Sequence, residues 1–160
     1  MYNKNEINKK NKYIFLDIDW VLNRFSENKE VNRSCLNSLL YILNRTNAKI
    51  IISSDWKYDE KDLKRYFDDY NIPDYIWITE KWLETWLSKE FDNGIDLEWI
   101  REKEIKIYLN HLNKKNINYN YVIIDDMPLK WFWNNFVKTD QDIWLNRELA
   151  EKAIKILNKE

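Results

Sequence analysis

Glycine is nearly absent from this sequence. The 160 residues include one glycine, Gly94, two prolines and one cysteine, Cys35. Average usage of about 7% would give about eleven glycines in a chain of this length. A single cysteine excludes an intramolecular disulfide, and its helix-like surroundings, "SCLNSLLYIL", indicate a packed thiol. The shortage of glycine coincides with nine tryptophans.

Long apolar runs and an excess of charge of one sign are also missing. No run approaches the roughly 20 apolar residues of a membrane span, and the opening "MYNKNEINKKNK" lacks the apolar core of a signal peptide. The 26 basic and 27 acidic residues nearly cancel, so no strongly basic surface for nucleic acid is indicated. We expect a soluble, cytoplasmic, monomeric protein with one domain over residues 1–160, of which residues 1–12 form a frayed tail.

Strand patterns alternate with helix patterns along the chain. The runs "KYIFLDI", "AKIIIS" and "YNYVIIDD" are continuously apolar, which is typical of strands covered on both faces. Between the first two, Leu36, Leu39, Leu40 and Leu43 have the spacing of a helix with one buried stripe. Helices are also predicted for "EKDLKRYFDDY", "LEWIREKEIKIYLNHL" and "RELAEKAIKILNK", and strands for "DYIWIT" and "NFVKTD". This order predicts an α/β fold with a mainly parallel, Rossmann-like sheet between two layers of helices.

Three of the predicted strands end in residues that can do chemistry. They are Asp17 and Asp19 after the first strand, Ser53 and Ser54 after the second, and Asp125 and Asp126 after the third. If the strands are parallel neighbours, four carboxylates converge at the sheet edge where such folds bind ligands. Two like charges about 4 Å apart repel by roughly 4 kcal/mol at an effective dielectric of 20, so a cation or bound protons must offset them. Oxygen ligands without histidine or cysteine favour Mg²⁺.

The spacing of Asp17 and Asp19 suits a pair in which one carboxylate attacks and the other carries a proton. The same spacing also fits a strand end whose aspartates only cap or solvate the next turn. The serines and aspartates at the other two strand ends favour the catalytic interpretation.

The ordered motifs resemble the haloacid dehalogenase-like (HAD) superfamily of phosphotransferases and phosphohydrolases. "IFLDIDWVLN" resembles its first motif, "KIIISSDWK" its second and "YVIIDDMP" its fourth. The small HAD domains associated with RNA-repair proteins are more similar still, since "SSDWK", "IREKEIKIYL" and "KTDQDIWLNRELAEKAIKIL" follow their pattern. In that pattern the basic residue of the third motif is Arg101, and Lys103 is the alternative.

The resemblance implies a covalent mechanism and a set of site residues. Asp17 would attack phosphorus, while Asp19 would protonate the leaving oxygen and later activate water. Ser53 and either Arg101 or Lys103 would bind the phosphoryl oxygens. Mg²⁺ would be held by the Asp17 carboxylate, the Asp19 backbone carbonyl, Asp125 and Asp126.

The spacing between the motifs limits the size of a cap domain, and it leaves several classes of substrate open. About 30 residues separate Asp19 from the second strand, which leaves no room for a large cap, and residues 55–99 hold at most a small lid. An open site suits the phosphorylated ends of RNA or DNA, and it also admits nucleotides and small phosphate esters. A non-catalytic binding module of the same fold is the third alternative. Trp82 and Trp86 are candidates for stacking on bases or for packing in a core.

Tryptophan stands where the narrower family has glycine at three positions, Trp20, Trp77 and Trp144. Glycine is used where φ is positive or no side chain fits, so three swaps to the largest residue are improbable. The codon UGA is read as glycine in some lineages and as tryptophan in others. Our hypothesis is that several of the nine tryptophans are glycines in the native protein, and UGG codons at these three positions would exclude it.

Five further residues are interpreted as structural. His111 is predicted to lie on the surface near a helix C-terminus, and Trp56 to pack beneath the site. We predict a solvated side chain for Lys57 and a capped turn at Thr139 and Asp140.

Overall fold

The computed structural model describes residues 10–23, 30–79 and 97–159. Its strands are β1 (Asn11–Leu16), β2 (Lys49–Ile52), β3 (Tyr75–Ile78), β4 (Tyr119–Asp125) and β5 (Phe136–Lys138). Its helices are α1 (Arg33–Thr46), α2 (Glu60–Asp69), α3 (Leu97–Lys114) and α4 (Arg147–Leu157), with 3₁₀ turns at Asp55–Tyr58 and Lys130–Asn135. Each predicted strand and helix is present. Trp82 and Trp86, with the stacking or packing roles predicted for them, lie outside the described ranges.

The five strands form one parallel sheet in the order β3-β2-β1-β4-β5. The chain builds outward from β1 through β2 to β3, and then returns to the other side of β1 to add β4 and β5. The strand order therefore reverses between β1 and β4. In sheets of this kind, ligands bind outside the carboxyl ends of the strands at that reversal.

Both faces of the sheet are covered, which explains the unbroken apolar runs. Successive residues of β1 point to opposite faces, so Ile14 and Leu16 pack in one core while Tyr13 and Phe15 pack in the other. The first core also contains the buried residues of α1, α2 and α4, and the second contains those of α3. The predicted three-layer α/β fold is confirmed.

Asparagine takes over the helix ends that glycine usually occupies. Asn47, Asn71 and Asn116 follow α1, α2 and α3 with φ of 53°, 52° and 53°, the left-handed conformation that asparagine tolerates better than most residues. At the other end, the side chains of Asn32 and Asn146 accept hydrogen bonds from the first turns of α1 and α4. A chain with one glycine can thus still end its helices.

The frayed tail predicted for residues 1–12 is wrong for Asn11 and Lys12, which lie in β1. Two further structural predictions concern the surface and the thiol. Cys35 is a buried free cysteine in α1, and His111 is exposed in the last turn of α3, both as predicted. None of the helices in the described ranges is long and apolar enough to cross a membrane.

Candidate active site

The carboxyl ends of β1, β2 and β4 bring three predicted site residues together. β1 lies between the other two strands, with Leu16 in register with Ile52 on one side and Ile124 on the other. The pairing continues one residue further, because Asp17 N–H donates to the Ile124 carbonyl (3.0 Å) and Ser53 N–H donates to the Leu16 carbonyl (2.9 Å). Asp17 therefore stands at the central strand end, flanked by Ser53 and Asp125.

Three carboxylates cluster at this edge. Asp17, Asp125 and Asp126 each offer an oxygen, and the three oxygens lie within 4.8 Å of one another. Asp17 and Asp125 are buried. Burial raises the pKa of Asp125 well above its ordinary value, and the charge of Asp17 adds to the shift. Burial and Asp17 also raise the pKa of Asp126, to about 6. Such a cluster of oxygen ligands fits a divalent cation.

Arg101 supplies positive charge to the same cluster. Its Nη1 lies 3.4 Å from Asp17 Oδ1 and 3.3 Å from Asp125 Oδ2, and it also donates to the Ser53 carbonyl. Nη2 contacts Asp55 Oδ1 at 2.9 Å. Burial lowers the pKa of Arg101, but these carboxylates outweigh burial and raise it above its ordinary value. The guanidinium therefore stays charged and opposes the repulsion between the carboxylates.

Lys103 lies elsewhere. Its Nζ is 5.1 Å from the ring centre of Trp99 and 5.8 Å from that of Trp131. In a helix, residues two positions apart do not share a face, so α3 can direct only one of Arg101 and Lys103 toward the sheet. The geometry favours Arg101 as the basic residue of the third motif.

Asp19 is held apart from the three clustered carboxylates. Its carboxylate is partly buried and accepts a hydrogen bond of 2.9 Å from Trp56 Nε1. Burial raises the pKa of Asp19, while the Trp56 hydrogen bond opposes the shift. Trp56 also packs against Tyr66, with ring centres 4.7 Å apart. The packing role predicted for Trp56 is confirmed, but sequence reasoning missed its contact with Asp19.

Ser53 contributes a buried hydroxyl. The residue is fully buried, and its Oγ has no hydrogen-bond partner among the described residues. Leaving a buried hydroxyl unpaired costs about 1–3 kcal/mol. The Ser53 hydroxyl is therefore suited to form a hydrogen bond with an oxygen of a ligand bound beside Asp17.

Comparison with known families agrees with this arrangement. A family model described as "HAD domain in Swiss Army Knife RNA repair proteins" matches residues 13–150. The chain belongs to this family. The resemblance predicted from the motifs is therefore confirmed, and the all-parallel sheet agrees with a HAD-like fold. No curated protein and no solved structure matches the chain.

In this HAD domain, a turn capped by Asp140 follows β5. Asp140 Oδ1 accepts hydrogen bonds from the backbone N–H groups of Asp142 (2.8 Å) and Ile143 (2.7 Å), which confirms the capped turn predicted there. Thr139 does not share this role, since its buried hydroxyl has no partner in the described part of the chain.

The prediction of a solvated side chain for Lys57 is wrong, because that side chain is buried. Its Nζ lies 2.5 Å and 2.6 Å from the two carboxylate oxygens of Glu104, and both side chains are fully buried. Thr79 Oγ1 donates to the same carboxylate at 3.0 Å. Burial raises the pKa of Glu104 and the Lys57 ammonium opposes the shift. The pair links the 3₁₀ turn after β2 to α3, where Glu104 lies about one helical turn after Arg101.

Trp20 is a strained backbone position of this HAD domain. Its φ is 59°, and the other non-glycine residues with positive φ in the described ranges are asparagines. The left-handed conformation costs a bulky L-residue about 1–2 kcal/mol. Trp77 and Trp144 do not have positive φ, so the backbone supports the glycine hypothesis at position 20 alone.

Removal of one partner of the buried pair should destabilise the protein strongly. We expect Lys57→Met to lower the free energy of unfolding by about 3–5 kcal/mol, since it leaves Glu104 buried without its cation. The matched control is Lys64→Met, which removes an exposed pair with Asp68 and should cost much less. Urea unfolding compares the two variants. Equal losses would contradict a stabilising role for the buried pair.

Trp20→Gly should be more stable than Trp20→Ala by about 1 kcal/mol, because both variants remove the indole and only glycine relieves the positive φ. The control pair is Trp77→Gly and Trp77→Ala. Trp77 lies in β3, where alanine should be the more stable by about 0.5–1 kcal/mol. Thermal or urea unfolding of the four variants measures both differences. The same order of stability at both positions would refute backbone strain at Trp20.

Proposed function

We propose that this HAD domain is a Mg²⁺-dependent phosphohydrolase that works through an aspartyl-phosphate. The observation that carries the proposal is the position of Asp17 at the carboxyl end of the central strand β1, where the strand order reverses. Its carboxylate lies beside Asp125 and Asp126, Arg101 contacts it, and the unpaired Ser53 hydroxyl is its strand neighbour. A nucleophile, a cation site and two phosphate-binding groups are thus within one small volume.

In the proposed reaction, an Asp17 oxygen forms a bond to phosphorus as the bond from phosphorus to the leaving oxygen breaks. Asp19 gives its proton to that leaving oxygen. In the second step, Asp19 takes a proton from a water molecule, whose oxygen attacks phosphorus and displaces Asp17 as a free carboxylate. Inorganic phosphate leaves, and both aspartates return to their starting states.

The pKa shifts of the two aspartates suit these different roles. Burial raises the pKa of Asp19, which favours the protonated form that a general acid needs. Burial also raises the pKa of Asp17, but Arg101 opposes that shift, and a bound cation would favour the ionised form further. Trp56 holds the acid in place through its hydrogen bond to Asp19.

The donor set fits Mg²⁺. Asp17, Asp125 and Asp126 would provide carboxylate oxygens, and the Asp19 backbone carbonyl would complete the protein ligands. When bound, the cation supplies charge stabilisation for the phosphoryl oxygens. Arg101 and Ser53 would orient the phosphoryl group, with the Ser53 hydroxyl donating to one of its oxygens.

Phosphorylated ends of RNA or DNA are the proposed substrates. The family description, which names RNA repair, supports this choice. Nucleotides and small phosphate esters are the alternative substrates for the same chemistry. One observation favours a non-catalytic module instead. The strained Trp20 places a partly buried indole directly after Asp19, where it can narrow access to the site.

Hydrolysis of an aryl phosphate tests the enzyme proposal. We expect Mg²⁺-dependent turnover by the wild type, none by Asp17→Asn because the nucleophile is lost, and a reduction of about 100-fold for Ser53→Ala. Circular dichroism and thermal midpoints of the variants show that they remain folded. Equal background rates for wild type and Asp17→Asn, with and without Mg²⁺, would favour the binding module. Faster hydrolysis of a 3′-phosphorylated oligonucleotide than of free mononucleotides would favour nucleic-acid ends.

The metal-free protein should lose stability as pH rises through the range in which its clustered carboxyls ionise. The pKa of Asp126 is about 6 in the folded protein, against 3.8 ordinarily. Between these values the folded state holds more protons than the unfolded state, so a rise in pH favours unfolding. Above about pH 6 this penalty is complete for Asp126, and a bound cation offsets it.

Mg²⁺ should therefore raise the melting temperature more at about pH 7 than at about pH 5, because protons compete for the same oxygens. Asp126→Asn serves as the control and should reduce the difference between the two pH values. Differential scanning calorimetry with and without Mg²⁺ gives the comparison. A Mg²⁺ effect that is the same at both pH values would argue against binding at these carboxylates.

A further inference from the structure

A basic hollow, which is a surface pocket lined mainly by polar and basic residues, lies at the edge of the sheet opposite Asp17. It is formed at the amino ends of β1, β2 and β4, where α1 and α4 also end, and its volume is about 1040 Å³. β1 is six residues long, and at about 3.3 Å per residue the hollow is about 20 Å from Asp17. The two sites are thus separate.

Among the described residues, no carboxylate lines this basic hollow. Of its twelve lining residues, five are asparagines and five are basic, namely Lys10, Lys12, Arg45, Lys49 and Lys159. In the described ranges none of the five basic side chains forms an ion pair. The whole chain has a net charge of −1, so this clustering is a local feature that the total charge conceals.

Contacts with the C-terminal ends of helices account for only part of the positive charge in the hollow. Lys12 Nζ donates to Asn158 Oδ1 at 2.6 Å, and Lys10 Nζ contacts the Lys159 carbonyl at 3.5 Å. Two helix C-termini contribute about −0.5 elementary charge each, which offsets about one of the five positive charges. The exposed side chains of Arg45, Lys49 and Lys159 remain available to a ligand.

We propose that the basic hollow binds the phosphodiester backbone of a nucleic acid. Lysine, arginine and asparagine are the side chains that contact phosphates and sugars in such complexes. None of the described residues that line the hollow is aromatic, so they offer no platform on which bases can stack. Binding should therefore be independent of sequence and strongly dependent on salt. This proposal does not depend on catalysis at Asp17.

Fluorescence anisotropy with a labelled single-stranded RNA of about 12 nucleotides tests the proposal. The full chain is used with Asp17→Asn, which prevents turnover of the probe and keeps the result separate from the activity assay. If Arg45, Lys49 and Lys159 contact phosphates, log K should fall with log salt at a slope of about −2, which is about a 20-fold loss between 50 and 200 mM. Arg45→Gln with Lys49→Gln should weaken binding and bring the slope to about −0.7.

The matched control is Lys61→Gln with Lys152→Gln. These lysines are exposed on α2 and α4 and do not line the hollow, so the same change in net charge should leave the slope unchanged. Equal effects of the two double variants would overturn the proposal, since binding would then follow total charge. Competition by mononucleotides or pyrophosphate as effective as that by unlabelled RNA would also overturn it, because the occupant would then be a small anion.

Discussion

The repulsion among three clustered carboxylates, two of them buried, is the constraint on which the site depends. Asp17, Asp125 and Asp126 lie at the one edge of the sheet where the strand order reverses, and the pairing of β1 with β4 fixes their separation. A buried cluster of this kind persists only if positive charge stays close. Arg101 provides that charge from α3, so the position of one helix is tied to the ionisation of the sheet edge.

The short 3₁₀ turn after β2 connects the parts of the site. Its first three residues reach three different partners: Asp55 contacts Arg101, Trp56 contacts Asp19, and Lys57 contacts Glu104. The proposed acid and the guanidinium therefore share a support of three consecutive residues. Because the Lys57 pair is buried and α3 carries both Arg101 and Glu104, a shift of this turn would disturb both groups together.

Most of the fold could be predicted because the relevant signals are local. The apolar runs and the helical leucine spacing required no knowledge of distant residues, and the aspartates and serines were recognisable from their places at strand ends. Lys57 could not be predicted in this way, since its burial depends on Glu104, 47 residues along the chain. The basic hollow was hidden for the same reason, because its cations lie at the starts and ends of separate elements and vanish in a neutral total.

Asparagine at the helix ends had a signal in the sequence, namely the many asparagines beside a single glycine. The left-handed φ of Asn47, Asn71 and Asn116 gives that composition a structural role. Trp20 shares the conformation without the short polar side chain that makes it tolerable. A positive φ is thus adopted with little strain at three asparagines and with strain at Trp20.

Two clusters of opposite charge lie at the two edges of the parallel sheet. Among the described residues, carboxylates gather at the ends of the strands and cations at their beginnings, so these two clusters form an electric dipole along the strand direction. The field of these two clusters would draw a polyanion toward the basic edge and would oppose its approach to the carboxylate edge as long as no cation is bound there. Loading of a divalent cation at the carboxylates would weaken that moment, so the metal would change how the whole molecule is approached as well as what its site can do.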